Sequence, residues 1–148
     1  MRRWNGWGVT HNSEALKPEA LTFLREAVGQ ATPPTDASWD SALAQVAKQP
    51  TRLPPHALID TSDAARLRAS FGQSAWDWIR LRFGQIGRIT DGVAHPETAQ
   101  DVQTLLAWAK QHGVHVLPCG GATSVAGHLT PVGDKPVLTL NLTRLMRL

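Results

Sequence analysis

Residues 119–127 form the segment of this 148-residue sequence whose residue types could do chemistry. Two adjacent glycines, Gly120 and Gly121, precede the hydroxyl side chains of Thr123 and Ser124. Glycines let the backbone approach a ligand closely, and a turn of small residues can direct several N–H groups at one anion. Neutral donors without steric bulk suit a diphosphate. The same composition also fits an ordinary glycine turn between two strands.

Two familiar phosphate-binding motifs do not describe this segment. No Gly-Lys-Ser or Gly-Lys-Thr follows the glycines, which excludes a P-loop. The Gly-x-Gly-x-x-Gly pattern of dinucleotide-binding folds is also absent, and no helix is predicted directly after the segment.

The elements around the segment predict where it lies in a fold. A short, partly β-branched stretch covers residues 88–95, and a helix is predicted over 98–112, with Leu106 on the apolar stripe that faces the strands. Strands are predicted over 114–117 and 137–142. Strand, helix and strand in this order form a βαβ unit with parallel strands. The glycines therefore follow a strand at its carboxyl end, where open α/β sheets bind ligands.

The first 87 residues have a different pattern, which predicts an all-helical segment. Helices are expected over residues 18–30, after Ser38, over 62–70 and after Ser74. Trp76, Ile79 and Phe83 share one face of the last of these helices. The predicted fold class is α+β, with a helical N-terminal extension over 1–87 and a second unit over 88–148.

Composition limits the partners and the compartment. The formal net charge is only +3 and the basic residues are scattered, so no nucleic-acid partner is expected. No apolar run reaches the roughly 18 residues of a membrane span. The N-terminus lacks the apolar core of a secretory signal, and the single cysteine fits a reducing compartment. These observations predict a cytoplasmic protein.

Other side chains offer weaker candidates for a site. His112 and His115 have a His-x-x-His spacing, but no cysteine or carboxylate accompanies them, so no metal is expected. His95 and His128 flank the glycines and could contact a ligand. Cys119 fits a small packed residue better than a reactive thiol. Solvated surface charge is the simpler interpretation of the three nearby arginines: Arg80, Arg82 and Arg88.

The order of motifs along the chain resembles a known family. Residues 91–98, the helix after them and residues 116–125 are similar to the start of the flavin domain of vanillyl-alcohol-oxidase-type (PCMH-type) FAD-binding proteins. The opening residues 3–8 and the closing residues 138–145 narrow the resemblance to alkyldihydroxyacetonephosphate synthases and bacterial FAD-linked oxidases. The resemblance covers the N-terminal portion of such enzymes only.

The resemblance implies the fold and a set of cofactor-binding residues. The fold would be a helical N-terminal segment followed by the first βαβ unit of a PCMH-type FAD-binding domain. The family holds the FAD diphosphate with the residues that match Pro118, Cys119, Gly120, Gly121, Ala122, Thr123, Ser124 and Val125. Ala122 stands where the family usually has a third glycine. It therefore has either a negative φ or a strained backbone.

The resemblance also implies a function and its limits. Because the loop holds no histidine, non-covalent FAD is expected. The family's catalytic residues would lie beyond Leu148, so these 148 residues alone should be inactive. We expect the whole protein to be an enzyme like alkyldihydroxyacetonephosphate synthase, with a small-molecule or lipid-like substrate. The sequence leaves open whether the protein forms a homodimer. The alternatives are an FAD-linked oxidase or dehydrogenase of 2-hydroxy acids or alcohols, and a non-catalytic fragment.

Overall fold

The computed structural model describes residues 3–10, 16–30 and 35–146. Its helices are α1 (Pro18–Val28), α2 (Trp39–Val46), α3 (Asp63–Ala69), α4 (Ala75–Arg82) and α5 (Ala99–Gln111). Its strands are β1 (Ile59–Asp60), β2 (Gly92–Ala94), β3 (His115–Cys119) and β4 (Val137–Asn141), followed by a 3-10 turn at Leu142–Arg144.

The four strands form one mixed sheet in the order β1-β2-β4-β3. Strands β2 and β3 are both parallel to β4, which lies between them. The α+β class and the βαβ unit β2-α5-β3 are thus confirmed. Strand β3 continues through Pro118, which the sequence placed at its end. Because β3 is an edge strand, the missing N–H of the proline is tolerated there.

The prediction that the first 87 residues are all helical is wrong. Strand β1 lies in that stretch and pairs antiparallel with β2, Ile59 with Ala94 and Asp60 with Val93. Two residues are too few to show the alternation by which strands are recognised in a sequence. The strand exists because β2 offers it an open edge, which is a tertiary effect.

Side-chain caps set the helix starts, as the sequence predicts. The hydroxyls of Ser38, Ser62, Ser74 and Thr98 each accept a hydrogen bond from a backbone N–H in the first turn. At α4 and α5 the cap is reciprocal, because an aspartate also accepts from the cap residue.

The core has two clusters, and both include residues from each side of position 87. One packs α2, α3 and α4 together: Ala42, Val46, Leu67, Phe71, Leu81, Ile86 and Ile89. The other packs α5 on the sheet: Leu53, Ala94, Leu105, Ala109, Val114, Leu138 and Leu140. The division into 1–87 and 88–148 stays a prediction.

One residue of the predicted apolar stripe of α5, Leu106, is not buried. On α5, Leu105 is 1% exposed whereas its neighbour Leu106 is 47% exposed, so only the former packs on the sheet. On α4, the apolar face of Trp76, Ile79 and Phe83 is exposed, and Asp77 and Leu81 are buried instead. The reason is that Asp77 has bonding partners beneath the helix, described below. No described helix is both long and apolar enough to span a bilayer.

Candidate functional site

A cleft lies at the carboxyl ends of the three parallel strands. Its floor is formed by residues that follow or end those strands, His95, Cys119 and Asn141, and its volume is about 500 Å³. This is the position at which open sheets bind ligands. Its remaining lining includes Arg3, Trp4, Arg68, Phe71, Gly72, Gln73, Gly120, Gly121 and Ala122.

The glycine-rich loop, residues 118–127, forms one wall of this cleft. Of the eight predicted site residues, Cys119, Gly120, Gly121 and Ala122 line it. Thr123 and Ser124 line a smaller concavity of about 270 Å³ beside it, together with the same two glycines and Ala122. The remaining two predicted site residues, Pro118 and Val125, line neither.

The two glycines matter because of the space beside them. Neither has a φ in the left-handed region, so their backbone conformation does not require glycine. A Cβ at Gly120 would meet no atom within 4 Å, and one at Gly121 would meet only the Thr123 methyl group, at 3.7 Å. Any side chain at these positions would therefore project into open space. A ligand in that space could lie directly against the backbone.

The backbone of Ala122 is strained, which is the second of the two conformations predicted for it. Its φ is 53°, the only positive φ at a non-glycine residue in the described part of the chain. Alanine in this region costs roughly 1–2 kcal/mol. The loop thus keeps the backbone course that a glycine would adopt.

The turn between α3 and α4 contacts the glycine-rich loop. The Gln73 N–H donates to the carbonyl of Ser124, with 2.6 Å between nitrogen and oxygen. A Cβ on Gly72 would lie 2.5 Å from that same carbonyl oxygen, so Gly72 must be a glycine for the two segments to meet. Neither Gly72 nor Gln73 is predicted from the sequence as a site residue. A Phe-Gly-Gln turn far from the loop carries no local signal of this contact.

Asp77 links the start of α4 to the end of the loop. Its carboxylate accepts from the N–H groups of Gly72 and Ser74, at 3.2 and 3.4 Å. Its other oxygen accepts from the Thr130 hydroxyl at 2.9 Å. The capping spacing predicted the bond to Ser74, but the contact to Thr130 depends on the fold.

The cleft carries positive charge. Arg3 and Arg68 line it, and among the described residues no aspartate or glutamate does. Arg68 is held over the Trp39 ring, with 4.5 Å from its guanidinium carbon to the ring centroid. Burial lowers the pKa of His95, and the charge of Arg144 lowers it further, against the opposing effect of Asp60. The cleft is thus suited to an anionic ligand.

Of the other candidates from the sequence, His95 and Cys119 line the cleft. Cys119 is buried and its thiol contacts the Gly120 carbonyl, which confirms the prediction that Cys119 is a small packed residue. Within the described residues no three potential ligands cluster around a metal site, and none of the three arginines considered above lines the cleft. Arg82 instead pairs with Asp36 at 2.8 Å.

An ion pair between the buried Asp91 and the partly exposed Arg52 lies at the opposite end of β2. The Asp91 carboxylate bonds the Arg52 guanidinium at 2.7 and 2.8 Å, and it accepts the Val137 N–H at 2.8 Å. Burial acts to raise the pKa of Asp91, but these hydrogen bonds outweigh it and hold the pKa below its ordinary value. The pair fixes β2 against β4 and so sets the strand ends that form the cleft.

Comparison with known proteins identifies this arrangement. A family model described as an FAD binding domain matches residues 90–148. Those residues are similar to the FAD binding domain family. The match covers β2 to the chain end and includes the glycine-rich loop. It confirms the resemblance seen in the sequence, and FAD is the cofactor.

Relatives of the FAD-binding chain are alkyldihydroxyacetonephosphate synthases. The enzyme of Dictyostelium discoideum is 32% identical over 71 residues, 48% of this chain and 12% of the relative. That of Trypanosoma brucei brucei is 33% identical over 87 residues, 57% of this chain and 14% of the relative. That of Caenorhabditis elegans is 35% identical over 80 residues, which are 52% of this chain and 13% of the relative.

Solved structures confirm the fold of the FAD-binding chain. Alkyldihydroxyacetonephosphate synthase crystallised in P1 matches with a TM-score of 0.78 and 22% identity, over 97% of this chain and 33% of that one. The same enzyme in P212121 matches with a TM-score of 0.77 and 21% identity, over 99% and 32%. The chain therefore spans about a third of these structures, and the fold includes its N-terminal helices.

Proposed function

We propose that this chain holds FAD non-covalently in the cleft, with the diphosphate against residues 120–124 of the glycine-rich loop. The observation that carries the proposal is the open space beside Gly120 and Gly121, which faces a cleft lined by cations. Backbone N–H groups of small residues can bind phosphate oxygens in such a concavity. Fork-shaped guanidinium groups, here Arg3 and Arg68, suit phosphate as well.

The dimensions and chemistry of the site fit this cofactor. A cleft of about 500 Å³ is within the range of small-molecule sites. The carboxyl ends of β2, β3 and β4 form one end of it, and the apolar Trp4 and Phe71 lie on its walls. FAD supplies oxidation and reduction chemistry at its isoalloxazine ring. The residues described here bind and orient the cofactor, and none of them is assigned a catalytic role.

We further propose that the chain works as part of a flavoenzyme like alkyldihydroxyacetonephosphate synthase. The names of the three relatives support this activity over that of an FAD-linked oxidase. On this proposal the substrate is lipid-like and is bound outside the residues described. A cytoplasmic location and the inactivity of these 148 residues alone stay predictions.

The binding proposal is tested with Gly121→Val in the protein as its gene encodes it. The valine would fill the space where the diphosphate lies, while its Cβ meets nothing closer than the Thr123 methyl group. We expect an unchanged circular dichroism spectrum and at least about a tenfold loss of FAD affinity, measured by flavin fluorescence.

Ala107→Val is the matched control, because it adds similar bulk to an exposed position of α5 outside the cleft. It should bind FAD as the wild type does. A Gly121→Val protein that purifies with a full complement of flavin would refute the placement of the diphosphate.

A further inference from the structure

One short hydrogen bond joins the glycine-rich loop to a titratable group. The Ser124 hydroxyl oxygen lies 2.6 Å from Nδ1 of His128. Both residues line the smaller concavity, together with Gly120, Gly121 and Ala122. The histidine follows the loop directly, and nothing in the FAD-binding role described above uses it.

The bond length indicates which atom donates. Bonds with an N–H donor have heavy-atom distances of roughly 2.7–3.2 Å, whereas O–H donors allow roughly 2.5–3.0 Å. The 2.6 Å distance suits an O–H donor, so for the neutral ring we assign the proton to Nε2 and take the Ser124 hydroxyl as the donor to Nδ1. The same serine oxygen accepts the Ala126 N–H at 3.3 Å. In this state its single proton is committed to the ring and is not offered to a ligand.

Protonation of the ring reverses this bond. A protonated imidazole has an N–H at both nitrogens and cannot accept. Nδ1 then donates to the Ser124 oxygen, and the hydroxyl proton is released to another acceptor. The concavity gains one O–H donor and one positive charge together, and both favour an anion.

We propose that His128 is a positioning residue that controls the Ser124 donor for a phosphate group of FAD. The inference rests on the proposed function, because it assumes that the diphosphate lies against this loop. It predicts that FAD binds more tightly as His128 becomes protonated. The effect is measured by comparing FAD affinity at an acidic and at a basic pH.

The ionisable groups around the loop are few. Asp77 lies behind it and is engaged by Thr130. Arg3, Arg68, His95 and Cys119 line the cleft on its other side. No described acidic residue forms an ion pair with His128. His95 is the other histidine at the cleft, and any pH dependence that survives changes at His128 is assigned to it.

The experiment measures FAD affinity by flavin fluorescence at about pH 5.5 and about pH 8.5. For the wild type we expect binding about three- to tenfold tighter at the lower pH. His128→Asn keeps a polar group near the Nδ1 position but does not titrate, so it should lose most of this difference. Ser124→Ala should weaken binding mainly at the lower pH. His115→Asn, an exposed histidine at the other end of β3, should match the wild type.

A second readout follows from linkage. If protonation of His128 favours FAD, then FAD must favour protonation of His128 by the same factor. The ring signals of His128 in an NMR titration should therefore change at a higher pH with FAD bound than without it, and those of His115 should not.

The outcomes separate the two proposals. Wild-type protein that binds no FAD at either pH refutes the proposed function, and the inference with it. FAD binding with equal pH dependence in the wild type and in His128→Asn leaves the FAD site standing and overturns the role of His128. Loss of the pH effect in His128→Asn, with normal binding at the higher pH, supports the inference.

Discussion

The carboxylate of Asp77 accepts a hydrogen bond from the Thr130 hydroxyl, with 2.9 Å between the two oxygens. The same carboxylate accepts two backbone N–H groups at the start of α4. One buried side chain thus joins the α3–α4 turn to the chain that leaves the glycine-rich loop. This is why α4 turns a charged residue inward and leaves its apolar face outside.

We expect Asp77→Asn to destabilise the protein. The amide keeps only one acceptor oxygen, so the Thr130 hydroxyl must change from donor to acceptor, and the charge that strengthens all three hydrogen bonds is removed. The expected loss in the free energy of unfolding is about 1–3 kcal/mol, measured by urea denaturation. Asp101→Asn is the matched control, because Asp101 occupies the same capping position on α5 but is more exposed. Equal losses in the two variants would refute the linking role of Asp77.

Neighbouring leucines on α5 test its orientation on the sheet. Leu105→Ala should cost about 2–5 kcal/mol, because it leaves a cavity in the core. Leu106→Ala should cost less than about 1 kcal/mol, because that side chain is half exposed and leaves no enclosed cavity. The two variants differ by one position in the sequence and remove the same atoms. Chemical denaturation that gives the opposite ranking would contradict the packing of α5.

The backbone at Ala122 predicts a stabilising substitution. Because its φ is 53°, Ala122→Gly removes strain, and we expect a gain of up to about 1 kcal/mol in the free energy of unfolding. Ala126→Gly in the same loop has no such strain to remove, so it should be neutral or destabilising. A loss of stability in the first variant would show that the left-handed backbone at Ala122 is not strained.

The sequence predicted those parts of the fold that depend on local signals. Caps such as Ser74 and Thr98 are recognisable because the hydroxyl and its partner are three residues apart. The loop was recognisable because glycines and hydroxyl residues follow a strand and because the order of motifs resembles an FAD-binding family. The contacts of Asp77 with Thr130 and of Gly72 with Ser124 join residues about fifty positions apart. No local pattern encodes them, and they require the folded chain.

The sequence also does not predict which faces of α4 and α5 are buried, and the physical reason is related. Periodicity places Trp76, Ile79 and Phe83 on one face, and burial of that face is the usual outcome. In the structure α4 instead turns Asp77 inward, where its carboxylate accepts hydrogen bonds from the N–H groups of Gly72 and Ser74 and from the Thr130 hydroxyl. On α5, Leu105 and Leu106 both fit an apolar stripe, and only the sheet decides between them.

The Asp91–Arg52 pair predicts how stability depends on acid. Hydrogen bonds from Arg52 and the Val137 N–H hold the pKa of Asp91 below its ordinary value, despite burial. The unfolded chain therefore takes up a proton at this carboxyl more readily than the folded chain. The ionised carboxylate contributes stability above its ordinary pKa, and this stability is lost as the pH falls through the folded pKa.

We expect Asp91→Asn to be less stable than the wild type at neutral pH and to lose less stability between about pH 5 and pH 2. Glu26→Gln removes an equal charge from the exposed surface of α1, and it should keep the wild-type acid dependence. Urea denaturation at several pH values measures both variants. Asp36 and Asp101 also have a lowered pKa, so the wild type retains other acid-sensitive groups. The difference between wild type and Asp91→Asn isolates this carboxyl, and parallel curves would refute the contribution of the Asp91–Arg52 pair.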